Sequence, residues 1–377
     1  MSLIIKLGTL FLNILYGILK ILPQKKKLTI ISRQSDSPSL DINILSKVFK
    51  ELHPDYEVVV LCKKIGPGLG GKISYCLHML SQMYHLATSE FIVVDSYCIL
   101  VSLLNHRKSL LIIQMWHSIG TMKKFAYSIL DKPEGTSSKV AHLMKMHHNY
   151  DFILAGGDGY KDHLAQGFNY PIEQIVTLPL PRVEVLKDKE YGDSIRKKIS
   201  ETYPQLSKKK NIVYVPTFRK VNDDDFLKAL TDLCDSVDYD NYNLIVKVHP
   251  LTELGGFDGG KAIIDKKFSS FDMLFVADSV VSDYSCIMYE AAVLKKPIYL
   301  YSYDYDIYMS TRDIYMDYKA EVPGPICYDG KALTDAISEG SYDYDKLDHF
   351  LNKYVYTGSN HETKDIVDFM FEHKKTR

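Results

Sequence analysis

Two patterns of apolar residues alternate along the chain. Short runs rich in β-branched residues read as buried strands: 28–32 (LTIIS), 57–61 (EVVVL), 91–95 (FIVVD), 110–115, 152–155 and 175–178. Between them, Ile42, Leu45, Val48 and Phe49 recur at helical spacing within 41–52, and 72–86 has the same character. A second series follows, with strands at 212–215, 244–248, 279–282 and 298–301 and helices at 226–233 and 287–294. Such alternation predicts parallel sheets covered by helices on both faces. Two successive series predict two doubly wound, Rossmann-like domains facing a cleft, with ligands beyond the carboxyl ends of the strands. The charged and partly helical stretch 187–210, which holds Lys208, Lys209 and Lys210, reads as the hinge. The fold class expected is α/β, with domains at 28–187 and 188–377.

The first 27 residues break this pattern. Residues 7–19 carry no charge, Lys6 and Lys20 flank them, and Lys25, Lys26 and Lys27 follow. The run is shorter than the roughly 20 apolar residues of a membrane span. No small-residue cleavage site follows it. It reads as an amphipathic helix on a membrane surface, with its lysines at the headgroups. The attachment would be peripheral and monotopic. A packing helix and a single tilted span are the alternatives.

Charge narrows the partners. The 377 residues carry 46 basic and 47 acidic side chains, a net charge of −1. Without a general positive field, nucleic acid is not an expected partner, and any anionic ligand needs a local cluster of donors. Six scattered cysteines, with no CxxC pair and no zinc-ligand spacing, fit a reducing compartment and hence the cytoplasmic face. The string from Gly66 to Lys72 nearly spells a phosphate-binding P-loop, but Ile73 stands where the motif needs Ser or Thr. It reads as a flexible glycine-rich loop. Asp223, Asp224 and Asp225 are consecutive, so they do not share one helix face, and they read as a solvated helix start instead of a metal site. The sequence implies no tightly bound cofactor and indicates no metal site, although magnesium can arrive with a diphosphate substrate.

Four segments at strand ends carry the chemistry. Trp116-His117-Ser118-Ile119-Gly120-Thr121-Met122-Lys123-Lys124 ends a strand of the first domain. In the second, strands end in Val215-Pro216-Thr217-Phe218-Arg219, in Lys247-Val248-His249-Pro250 and in Ser282-Asp283-Tyr284-Ser285-Cys286. Each alone has a plain alternative: His249 as a structural histidine, Arg219 as a surface ion pair, Ser282 and Asp283 as a helix cap. Grouped at strand ends, two histidines, an arginine, small hydroxyls and a helix start make a phosphate site.

In this order the motifs resemble the CDP-glycerol glycerophosphotransferases of teichoic acid synthesis, a family of GT-B fold. The resemblance rests on WHSIGTMKK, VPTFR, KVHP, SDYSCIMYEAAVLKKPIYLY and Pro323-Gly324-Pro325, with weaker similarity in LPLPRVEVL. It implies that residues 28–187 take the acceptor and residues 188–377 the CDP-activated donor. His117 would be the general base, with Arg219 and His249 at the diphosphate. Thr217, Asp283, Ser285, Cys286, Glu290 and Arg182 would serve the donor, and Ser118, Gly120 and Lys123 the acceptor side. Cys286 stands where the family often has Ser, and Glu290 where it often has Asp. The WHxxG form looks more like the priming members than the polymerising ones. The implied partners are a polyprenyl-linked saccharide and the cytoplasmic membrane surface; the sequence leaves the oligomeric state open. Transfer from CDP-ribitol, chain polymerisation, a UDP-sugar-dependent GT-B enzyme and a non-catalytic binding protein are the competing readings.

Overall fold

A computed structural model describes residues 2–375 except 219–223, 249–251, 253, 256 and 258. Contacts divide the chain into two units. Unit 1 comprises residues 1–118, 125–184 and 358–377; unit 2 comprises 119–124 and 185–357.

Unit 1 is built on six parallel strands: β1 (Lys27–Ser32), β2 (Glu57–Cys62), β3 (Phe91–Val94), β4 (Leu111–Gln114), β5 (Phe152–Ala155) and β6 (Ile175–Thr177). They lie in the order β2-β1-β3-β4-β5-β6. Every residue of β1, β3 and β4 is buried, as unbroken apolar runs require in a sheet covered on both faces. Unit 2 carries β7 (Lys210–Tyr214), β8 (Tyr242–Val246), β9 (Ile263–Ile264), β10 (Ser279–Ser282), β11 (Ile298–Tyr301) and β12 (Ile326–Cys327). Their order is β12-β11-β10-β7-β8-β9, again all parallel. Its core gathers Ile212, Tyr214, Phe226, Leu230, Leu233, Leu244, Val246, Tyr299, Tyr301 and Leu333. The order reverses between β1 and β3 in unit 1 and between β7 and β10 in unit 2. Those reversals are where open parallel sheets take ligands.

Several boundaries differ from the sequence reading. The stretch expected as a hinge is partly helical, as read: helix Lys189–Thr202 is capped by Asp188 and buried through Gly192, Ile195 and Ile199. The change of unit falls earlier, between Glu184 and Val185. The last twenty residues do not stay with unit 2: helix Glu362–Glu372 packs on α2 (Leu40–Leu52) of unit 1. There Phe371 stacks on His53 at 3.7 Å, Lys374 pairs with Glu90 at 2.8 Å and Lys375 with Asp151 at 2.6 Å. The glycine-rich string is not simply a loop, because α3 (Gly68–Thr88) begins inside it. A Cβ on Gly71 would meet the backbone of Gly66 at 2.5 Å, so this tight entry needs glycine.

The N-terminal segment forms α1 (Ser2–Leu19), and no described helix is long and apolar enough to cross a membrane. Two of its polar residues, Asn13 and Tyr16, face the protein. Asn13 bonds the Leu103 carbonyl and the Asn105 amide, and Tyr16 is buried with its hydroxyl 2.9 Å from His106 Nδ1. His106 Nε2 lies 2.8 Å from the Val101 carbonyl. Only an N–H can face that oxygen, so Nε2 donates and Nδ1 accepts from Tyr16. Burial pushes the His106 pKa down to about 4. A histidine held neutral in the fold gives its full stabilisation above its unfolded pKa of about 6.5 and loses it as pH falls towards the folded value. Amide protection factors of α1 are therefore expected to drop between pH 7 and pH 5. His106→Ala should lower them already at pH 7. Unchanged protection in both experiments would show that this contact does not anchor α1.

Candidate active site

In unit 1 the residues around the strand reversal close on one another. The Ser32 hydroxyl, at the end of β1, donates to Asp95 Oδ2 at 2.7 Å, just past β3. The Arg33 amide donates to Ser96 Oγ at 3.1 Å. Asp95 is 2% exposed, and burial raises its pKa above the usual carboxylate range. β4 ends at Gln114, whose Oε1 accepts from the Trp116 amide at 2.9 Å. Trp116 then takes φ +64, a conformation uncommon for a bulky residue and worth on the order of 1–3 kcal/mol of strain. Phe125 and Phe168 pack on its ring with centroids at 4.7 and 5.1 Å. This turn aims His117 back across the sheet edge, so that its Nδ1 lies 2.8 Å from the Asp95 carbonyl.

That contact fixes the imidazole. A carbonyl only accepts, so Nδ1 carries the proton and Nε2 keeps its lone pair. The Gln34 side-chain Nε2 stands 3.2 Å from the same Nδ1, which as an N–H donor accepts nothing from it. Burial lowers the His117 pKa, opposed by the Asp95 carbonyl and carboxylate and reinforced by the Arg182 charge. The ring is therefore held neutral, as a base must be.

Arg182 lies beside His117 in unit 1. Its Nε and Nη2 grip Asp41 Oδ2 at 2.9 and 2.5 Å, its own amide donates to Asp41 Oδ1 at 2.9 Å, and Nη2 reaches the His117 carbonyl at 3.4 Å. The partner carboxylate is almost fully buried. The guanidinium thus links helix Arg182–Lys187 to the start of α2 and to the backbone of the candidate base. Ser118 follows at part-exposure and is the last residue of this stretch in unit 1.

The next six residues belong to unit 2. Lys123 forms a bridge with Ile314, the Lys124 amide donates to the Asp313 carbonyl, and the Tyr315 amide donates to the Met122 carbonyl. Gly120 lies flat on Tyr289, where a Cβ would meet the ring at 2.4 Å. That ring is itself wedged against Phe350 and Tyr354. Lys123 Nζ sits 5.5 Å from the Tyr308 ring, and Tyr308 stacks on Tyr284 at 3.6 Å and 9°.

At the reversal in unit 2, the Ser282 hydroxyl donates to the Val215 carbonyl at 2.8 Å. Asp283 Oδ1 accepts from the amides of Thr217 at 2.8 Å and Tyr284 at 2.6 Å. Asp283 is 0% exposed, and its carbonyl accepts from the Tyr318 hydroxyl at 2.9 Å. Ser285 Oγ accepts from the Ile287 amide, and Cys286 immediately precedes the two-turn helix Ile287–Val293. Glu290, on that helix, is 5% exposed. Lys247, in the KVHP segment, is buried and ion-paired to Asp265 at 2.6 Å. Arg219, His249 and Asp223 lie outside the described residues; Asp224 and Asp225 are exposed at the start of helix Asp224–Ser236, as a solvated helix start requires.

The sites thus form two groups, each within one unit: His117 with Arg182, and Thr217 with Asp283, Ser285, Cys286 and the Gly120–Lys123 segment. Sequence reasoning missed Asp41, Asp95 and Gln34 around the base, and Tyr284 and Tyr308 around the SDYS turn. Asp95 closes the FIVVD run and could have been found as a strand-end acid. Asp41 and Tyr308 carry no such local signal.

Two Rossmann-like parallel-sheet units, each with its polar residues at the carboxyl edge, give the α/β fold shared by GT-B enzymes. Residues 14–372 match the family described as CDP-Glycerol:Poly(glycerophosphate) glycerophosphotransferase, and the chain belongs to that family. It is 29% identical over 355 residues to the teichoic acid ribitol-phosphate primase of Bacillus spizizenii, covering 92% of this chain and 91% of that protein. It is 29% identical over 307 residues to the teichoic acid glycerol-phosphate primase of Bacillus subtilis, covering 78% and 76%. Among solved structures, the wall teichoic acid polymerase TagF superposes with a TM-score of 0.74 at 20% identity, over 98% of this chain and 97% of that chain. The UDP-GlcNAc 2-epimerase of Neisseria meningitidis gives 0.59 at 12% identity, over 93% and 100%. At such identities the likeness is one of fold. Family membership decides against the UDP-sugar reading.

Gly120→Ala is expected to destabilise unit 2 by about 1–3 kcal/mol, because neither the backbone nor the wedged Tyr289 ring can yield. Thermal unfolding checks this. A melting temperature equal to that of the unsubstituted enzyme would mean the segment is not pinned there.

Proposed function

We propose that this enzyme transfers a polyol phosphate from a CDP-activated donor to a hydroxyl of a polyprenyl-diphosphate-linked saccharide, as a priming step in teichoic acid synthesis. CDP-glycerol is the donor in the first instance. The observation that carries the reading is His117, neutral and fixed in one tautomer by the Asp95 carbonyl, with Nε2 left to take a proton.

The acceptor oxygen attacks the β-phosphorus and forms the new P–O bond. The bond from that phosphorus to the oxygen bridging to the α-phosphate breaks, and its electron pair leaves with CMP. His117 Nε2 takes the hydroxyl proton, work an imidazole suits near neutral pH. Arg219 and His249 stabilise charge on the transferring and leaving phosphates, the kind of help that usually dominates such reactions. Asp283 acts through backbone: a buried carboxylate holding the Thr217 amide shapes the loop that meets the donor. Thr217, Ser285 and Cys286 present small polar groups beside it, Glu290 supports the helix behind, and Ser118, Gly120 and Lys123 serve the acceptor. Arg182, gripped by Asp41, positions the His117 backbone in this reading. The enzyme works at the cytoplasmic face of the membrane, held peripherally through α1.

A specific observation favours a second donor. The ribitol-phosphate primase of Bacillus spizizenii matches over nine-tenths of both chains, so CDP-ribitol is the alternative polyol.

Purified enzyme with a lipid-linked disaccharide is expected to release CMP from CDP-glycerol or from CDP-ribitol, dependent on acceptor, and product mass gives the number of additions. Absence of release with both donors, from folded protein, rejects the proposal. His117→Ala should lower kcat by about a hundredfold or more while leaving the fold intact. Because burial depresses the His117 pKa, the neutral base persists as pH falls. The acid limb of kcat/KM should therefore have its midpoint below about 6.5, the ordinary histidine value. A midpoint above it would remove His117 from that role.

A further inference from the structure

An arginine keeps its charge throughout the pH range in which proteins fold, so a guanidinium drawn partly out of water needs an answering group. The described residues of unit 1 include Arg33, Arg107 and Arg182. Arg182 is met by the Asp41 carboxylate. Arg107 gives its donors to the carbonyls of Ala87, Lys20 and Leu22. Arg33 differs from both. It is half-buried and follows β1 directly, at the strand reversal. Its Nη1 donates to the Tyr97 carbonyl at 2.7 Å. Its Nε is buried and makes no hydrogen bond, Nη2 has no partner, and no carboxylate stands within ion-pair distance among the described residues.

The group is nonetheless held in place. Its central carbon lies 5.9 Å from the Tyr75 ring and 5.7 Å from the Tyr97 ring. Tyr75 comes from the inner face of α3 and is buried, and the Tyr97 hydroxyl donates to the Met144 carbonyl at 3.0 Å. Two fixed rings and a carbonyl therefore orient a charged fork and leave its other edge unpaired. A fold that fixes a cation without supplying a counter-charge suits an anion brought by a ligand.

The place of that anion follows from the backbone. One stretch of three residues holds both Arg33 and the candidate base. His117 Nδ1 sits on the Asp95 carbonyl, the Arg33 amide on Ser96 Oγ and the guanidinium on the Tyr97 carbonyl. Even a fully extended chain separates positions two residues apart by no more than about 7 Å. Gln34, next after Arg33, comes within 3.2 Å of the His117 ring.

We propose that Arg33 binds a phosphate of the acceptor and so selects acceptors that carry an anion close to the hydroxyl that reacts. This rests on the transfer reading given above and adds the acceptor chemistry that it leaves open. Two sources supply such a phosphate: the diphosphate that joins saccharide to lipid, and a polyol phosphate already attached at the saccharide's far end.

The test measures kcat/KM of the full-length enzyme for three soluble acceptors. One is a neutral alkyl glycoside of the disaccharide. The second is the same disaccharide on a short-chain alkyl diphosphate. The third is the neutral glycoside with a glycerol phosphate at its transfer end. The unsubstituted enzyme is expected to prefer a phosphate-bearing acceptor over the neutral one by about tenfold or more, and the acceptor preferred names the source of the phosphate. Arg33→Met keeps the length and packing of the side chain between the two rings. In that variant the preference should fall by about tenfold, through the KM for acceptor and not the KM for the CDP-activated donor. A role confined to structure would instead lower kcat on all three acceptors alike and leave the preference intact; that result overturns the proposal. Should Arg33→Met fail to fold, Arg33→Lys carries the test. It keeps the charge without the fork, so the preference should fall severalfold, and an unchanged preference overturns the proposal. If the unsubstituted enzyme uses all three acceptors equally well, Arg33 binds no acceptor phosphate and the transfer reading still stands. If it uses none of them with either CDP-polyol, the transfer reading falls and this proposal falls with it.

Discussion

Both sheet edges depend on buried polar groups being satisfied where strand order reverses. A reversal leaves two neighbouring strand ends whose connections run away in opposite directions. Backbone and carboxyl groups there have no regular partner and are costly to leave unpaired. In unit 1, Ser32, Asp95 and the His117 ring close that gap; in unit 2, Ser282, Asp283 and the Thr217 amide do so. The same bonds that make the edge foldable hold the candidate site residues still. In the role proposed for His117, a base pinned through one nitrogen loses little on reaching the geometry of reaction, and preorganisation of this kind is where enzymes find most of their advantage.

The second constraint is the distribution of polar groups on α1. In an ordinary surface helix the apolar stripe faces inward. Here Asn13 and Tyr16 anchor inward to Leu103, Asn105 and His106, and the stripe faces out. The helix is held by hydrogen bonds to the domain and leaves its apolar surface to something else. α3 repeats the arrangement, with aromatic and aliphatic residues inward and a second aliphatic stripe outward.

Much of the site was legible because strand ends are legible. Apolar runs located β1, β3, β4, β7, β8 and β10, and the polar residues directly after them could be read without coordinates. The roles of those residues were less legible. Asp283 was read as a donor contact, and its buried carboxylate also clamps the Thr217 amide; Lys247, inside the KVHP segment, is held in the protein by Asp265. Arg182 was read with the donor and stands beside His117, because its partner Asp41 is 141 residues away along the chain.

The sequence by itself determined the parallel α/β class, the two successive series of strands and the positions of His117, Thr217 and the SDYS turn. All of these follow from local periodicity and from which residue comes after a strand. The tertiary structure alone decided the tautomer of His117, the return of helix Glu362–Glu372 to unit 1, the assignment of Gly120 to unit 2 and the pairing of α1 with α3. Each of these is a contact between segments far apart in sequence. The physical reason is that periodicity records which face of an element is apolar, and is silent on which distant surface that face will meet.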